Sequence, residues 1–145
     1  MNKYIVLILF IISMLSSCKV TDNNTCNLNE YKDVEIEFGY ISQSSISKNY
    51  KLLGNIIVNN FNNDTVLLND IVSCNLYEKT TQLFFKTQTL NVPADSNNFL
   101  IYNNRKSNTQ LRALWNPLHT NKGNEEFKKL YSEYMEVINS KDDHE

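Results

Sequence analysis

Hydrophobic and polar residues alternate along much of the chain after Asp33. Val34, Ile36, Phe38 and Tyr40 are interleaved with Glu35, Glu37 and Gly39. This period of two predicts a half-buried strand. The Ser-rich stretch Gln43 to Asn49 predicts a loop, and Leu52 to Asn59 a second strand centred on Ile56-Ile57-Val58. Asn59 to Asp64 is a turn by composition, because Asn and Asp side chains bond their own backbone and tolerate left-handed conformations. Thr65 to Leu68 is a third strand, broken or bulged at Asn69-Asp70 and resumed over Ile71 to Tyr77, with Val72, Cys74 and Leu76 on one face. After a turn at Glu78 to Thr81, Gln82 to Leu90 reads as extended. Phe99 to Tyr102 and Thr109 to Trp115 complete the strands, the last with Leu111, Ala113 and Trp115 on one face. Asn116-Pro117 ends it, since proline cannot donate to a ladder. About seven short strands, spaced roughly 8–14 residues apart with turn signals between, predict an all-β, antiparallel β-sandwich over residues 33–120.

The pattern then changes period. Phe127, Leu130, Tyr131, Tyr134, Val137 and Ile138 recur at helical spacing, which predicts a C-terminal amphipathic helix over 121–139 that packs on the sandwich. Asn124 is placed to cap it, and Glu125 and Glu126 suit its positive end. Residues 140–145 read as a frayed tail.

The first residues follow another logic. Lys3 gives a basic start, Tyr4 to Ile12 an apolar run, and Leu15-Ser16-Ser17-Cys18 a small-residue end. This is the layout of a secretory signal, and the run is far shorter than the roughly 20 residues that span a bilayer. Leu15-Ser16-Ser17-Cys18 resembles the bacterial lipobox. The resemblance implies a bacterial lipoprotein: cleavage between Ser17 and Cys18, acyl chains on Cys18, and a membrane anchor held by more than one chain. Lys19 rather than Asp follows the cysteine, which by the same resemblance implies the outer membrane. Lys19-Val20-Thr21-Asp22 has a single acid, which favours the periplasmic face. Residues 18–32 are polar and aperiodic and read as the tether.

Composition narrows the partners. The chain has 14 basic and 16 acidic side chains, a net charge of −2, and no basic block, which argues against nucleic acid. Asparagine occurs 22 times from Cys18 onward and glycine three times, so Asn is expected at turn positions that elsewhere take Gly. Cys26 and Cys74 form a disulfide or remain separate thiols; an exported compartment permits the bridge, and no C-x-x-C supports a redox or zinc site.

Asn59-Asn60, Asp64-Thr65-Val66-Leu67-Leu68, Ile71-Val72-Ser73-Cys74 and Val92-Pro93-Ala94-Asp95-Ser96 together resemble bacterial immunoglobulin-like domains. That resemblance implies a sandwich that binds or braces.

Candidate chemistry is sparse. His119 lies in a loop and His144 in the tail, with no nucleophile motif beside them and no ligand cluster for a metal. Glu35 and Glu37 share a strand face, as a solvated pair or a glycosidase pair. Asp64-Thr65-Val66 resembles a bacterial O-glycosylation triplet. Trp115, His119, Tyr131 and Tyr134 are the candidate binding surface; for Trp115, Tyr131 and Tyr134 the competing reading is core. The expectation is a lipid-anchored, non-enzymatic binding or assembly module with a protein partner and no cofactor or metal. The alternative is an immunity or inhibitor lipoprotein that blocks an exported toxin or hydrolase through the Pro93 to Asn98 and Asn116 to Gly123 loops.

Overall fold

The computed structural model describes residues 27–42, 45–87, 89–92, 94–119 and 121–142. Strands are β1 (Val34–Ser42), β2 (Ser45–Leu53), β3 (Ile56–Asn59), β4 (Thr65–Leu67), β5 (Leu90–Val92), β6 (Ser96–Asn104) and β7 (Thr109–Trp115). Two α-helices are α1 (Asp70–Thr87) and α2 (Glu125–Asp142), and a 3-10 turn spans Leu28–Tyr31. The β-rich reading holds, and so does a C-terminal helix, although it begins at Glu125 and runs to Asp142, into the residues expected to be a tail. The sandwich does not: all seven strands lie in one sheet, in the order β4-β3-β2-β1-β6-β7-β5.

The second layer is helical because the residues expected to form two strands form α1 instead. Its buried side chains are Ser73, Cys74, Leu76, Tyr77, Thr80, Leu83 and Phe84, a spacing of three and four. Two of the seven are hydroxyls, so apolar residues alone do not trace the stripe. The β-branched Ile71, Val72, Thr80 and Thr81 add a local preference for strand that packing overrides. Asn69 is the true boundary: its Oδ1 accepts the Ile71 amide at 2.8 Å and caps the helix. The Ile71-Val72-Ser73-Cys74 segment of the immunoglobulin-like resemblance is therefore the first turn of a helix.

Further readings change. β2 starts at Ser45, so residues 45–49 of the expected Ser-rich loop are strand. The single strand expected over 52–59 is a hairpin, turned at Gly54 with φ +59° and Asn55 between β2 and β3. The sheet is mixed rather than purely antiparallel. The chain runs out along β5, turns back two positions in as β6, and fills the gap with β7, which makes β7 parallel to β5.

The core lies on one face. Val34, Ile36 and Phe38 of β1, Leu52, Ile57, Leu100, Tyr102, Ala113 and Trp115 are buried beneath the helices. α1 covers one end of this face: the Tyr77 hydroxyl donates to the Leu52 carbonyl at 3.3 Å, and the Phe84 ring lies 6.3 Å from Tyr102. α2 runs antiparallel to α1 over the other half, with Tyr134 against Phe38 at 4.4 Å and Phe127 against Trp115 at 5.9 Å. Between the helices, Thr80 Oγ1 bonds the Leu76 carbonyl at 2.7 Å and the Tyr134 hydroxyl at 2.8 Å.

The domain also starts earlier than expected. Asn27 Oδ1 accepts the Asn29 amide, and Tyr31 stacks on Tyr77 at 4.8 Å. Residues 27–32 therefore belong to the folded unit rather than to a tether.

Candidate interaction surface

The register of the sheet fixes what lies opposite the core. Side chains alternate between faces, so the odd positions of β1 point away from the helices with their partners: Glu37 beside Lys51 and Ile101, Gly39 beside Asn49 and Phe99. β7 adds Arg112 opposite Ile101 and Leu114 opposite Phe99. Neither α-helix packs on this face. At its centre Phe99 is 3% exposed, although it lies outside the core cluster. Its ring rests on Gly39: a Cβ there would lie 2.8 Å from Phe99 Cζ and 2.0 Å from the Lys48 carbonyl oxygen. Ile41, Val58, Ile101 and Leu114 around it are half-buried, and Arg112 is exposed.

Glu35, Glu37, Lys51 and Arg105 are paired with one another at this face. Lys51 Nζ lies 3.1 Å from Glu35 Oε1 and 2.9 Å from Glu37 Oε1, and Arg105 Nε lies 3.5 Å from Glu35. The Glu37 carboxylate, by accepting its hydrogen bond, raises the Lys51 ammonium above its ordinary value despite partial burial. Both carboxylates are bound to one lysine, so Glu35 and Glu37 form a surface ion network on this strand face.

The residues singled out in the sequence scatter over the molecule. Trp115 and Tyr134 are fully buried, which makes them core and removes them from the candidate binding surface. Tyr131 is half-buried, edge-on to Trp115 at 5.8 Å. Burial pushes the Tyr77 and Tyr131 phenols up to about 12 and the Tyr134 phenol further, so all three stay neutral and act as packing groups. His119 is exposed, as expected of a loop residue, and its carbonyl accepts from the Asn124 side chain at 2.9 Å. Asn124 is thereby turned back into the preceding loop and buried, which corrects its expected role as a cap. Thr65 is exposed on the edge strand β4. Cys74 is buried on α1 and disulfide-bonded. Ser17, Cys18, Cys26 and His144 lie outside the described residues.

The open face was legible only in part. Phe99-Leu100-Ile101-Tyr102 is an unbroken apolar run, the signature of a strand with apolar side chains on both faces. Which face the helices cover depends on α1, whose residues carry a strand-like pattern in the sequence.

A groove of about 330 Å³ between the helices is lined by Leu83 and Leu130 and bridged by Lys79–Glu133 at 2.6 Å and Lys86–Glu126 at 2.8 Å. Its charges pair across the helix seam and converge on no common point. Among the described residues no group of three or more His, Cys, Asp or Glu side chains could hold a metal ion, and no helix is long and apolar enough to cross a membrane. Comparison with protein-family models, with curated proteins and with solved structures finds no match.

Proposed function

We propose that this protein is a lipid-anchored, non-enzymatic binding module of the bacterial cell envelope, which engages a protein partner through the open face of its sheet. The lipobox-like Leu15-Ser16-Ser17-Cys18 supports the anchor. One observation carries the binding surface: on the face opposite the helices the half-buried Ile101 and Leu114 lie over the buried Phe99 and beside the exposed Arg112. An apolar patch rimmed by an arginine is the composition of an interface core and its edge. Anchoring confines this surface near the bilayer and raises its effective concentration toward a partner held there.

The test is crosslinking in intact envelopes, comparing the wild-type chain with Arg112→Glu and with Ile101→Asn. The expected result is one crosslinked partner whose yield falls in both variants while folding is retained. A partner that persists in both variants and is an exported hydrolase, inhibited by the purified protein, would replace this reading with the inhibitor one.

A further inference from the structure

One end of the domain gathers the chain's entry and much of its exposed apolar surface. β1 begins there, with Val34 opposite Asn104, so whatever precedes Asn27 arrives at this end. The β2–β3 turn, the end of β4 and the start of α1 share it. The Leu68 amide donates to the Asn55 carbonyl at 2.8 Å, and Asn55 Nδ2 donates to Asp70 Oδ1 at 3.1 Å, locking turn, strand and helix into one corner. Across this corner Leu53, Ile56 and Leu67 are direct cross-strand neighbours on the open face, and all three are exposed. Ile71, in the first turn of α1, is 68% exposed.

Solvated apolar side chains of this size, in register and on adjoining elements, are an unusual thing for a small domain to leave in water. Their position suggests what meets them. Cys18 is nine residues before Asn27, which limits the separation of anchor and domain to roughly 30 Å at the 3.3–3.6 Å per residue of a taut chain. A domain on so short a leash meets the bilayer constantly, and it meets it with the end at which the leash is attached. The nearby charges balance, with Lys32, Arg105 and Lys106 against Glu30, Asp33 and Asp70. Contact would therefore be driven by apolar burial rather than by attraction to anionic lipid.

We propose that this corner, formed by Leu53, Ile56, Leu67 and Ile71, rests in the headgroup layer of the membrane that holds the lipid anchor. The inference rests on the anchoring read from Cys18. It fixes the orientation of the domain: the strands stand off the bilayer, and the β1–β2 hairpin and the loop carrying Leu118 and His119 point away from it.

The lipidated full-length protein would be reconstituted into phosphatidylethanolamine–phosphatidylglycerol vesicles containing a lipid with a diazirine in its headgroup region. After illumination, lipid adducts would be mapped by peptide mass spectrometry. Adducts concentrated on the peptides holding Leu53 to Ile56 and Leu67 to Ile71 are expected. They should fall severalfold in Leu67→Ser/Ile71→Ser, whose changes are at exposed positions, and persist when half the phosphatidylglycerol is replaced by phosphatidylcholine. Adducts centred on 116–119, or absent from the corner of a protein whose N-terminal peptide carries acyl chains, would overturn the proposal while leaving the anchor intact. An N-terminal peptide without acyl chains would remove the anchor and the proposal together. A soluble Cys18→Ala dimer abolished by the same double change would overturn it in favour of a second copy of the chain.

Discussion

At the scale of single residues, asparagine does the work expected of it from its abundance. Asn63 and Asn108 adopt φ of 62° and 52°, the left-handed region that favours glycine. Asn59, Asn62, Asn104, Asn116 and Asn121 each accept a backbone amide two or three residues on, closing the turns that the sequence marked by composition. Tyrosine shows the limit of such reading, since periodicity places Tyr134 on an apolar face without saying that its hydroxyl will find Thr80 across the helix seam. The buried phenols also make a prediction. Tyr77 ionises at about 12 in the folded protein against an ordinary value of 10, so the fold favours its neutral form. That contribution is complete below pH 10 and is lost as pH rises from 10 through 12. Tyr77→Phe should cost about 1 kcal/mol at pH 8, from the lost bond to Leu52. Its urea midpoint should then fall less steeply than the wild type's between pH 10 and 12. Equal slopes would show that Tyr77 is not responsible for alkaline unfolding.

At the scale of elements, β1, β4 and β7 were legible and lie within a residue or two of their expected bounds, while α2 begins at Glu125 rather than at 121. The failures have two causes. Leu52 to Asn59 is apolar on both sides of a turn, so a tight hairpin at Gly54-Asn55 is hidden inside one hydrophobic run. In α1 the buried stripe passes through Ser73 and Thr80, and Thr80 is satisfied only by a carbonyl of its own helix and a tyrosine from the other. Such a residue looks polar in sequence and becomes interior only when both partners are in place. The clue that survives in sequence is Asn69, which reads equally as a strand breaker and as a helix cap. Its role is testable. Asn69→Ala should destabilise the domain by about 1 kcal/mol, while Asn69→Ser should recover most of that loss, as judged by urea unfolding. A bulged strand at this position would show no such rescue.

At the scale of the whole molecule, the disulfide at Cys74 and the anchor at Cys18 bear on one another. The chain has three cysteines. If Cys18 carries a thioether-linked lipid, as the lipobox implies, Cys26 alone remains to pair with Cys74. A non-reducing digest should then join the Cys26 and Cys74 peptides, and a Cys18–Cys74 link would argue against lipidation. That bridge would close a loop of 49 residues, from 26 through 74, worth about 4 kcal/mol in the chain-entropy model. Reduction should therefore lower the unfolding midpoint substantially. It should not lengthen the leash, because the stacking of Tyr31 on Tyr77 already holds the chain against α1 immediately after Asn27. Stability and reach are thus set by different contacts. A reduced protein below its unfolding temperature should keep the same pattern of lipid adducts at the Leu67–Ile71 corner, whereas Tyr31→Ala, with the bridge intact, should loosen that pattern only as far as Cys26 allows.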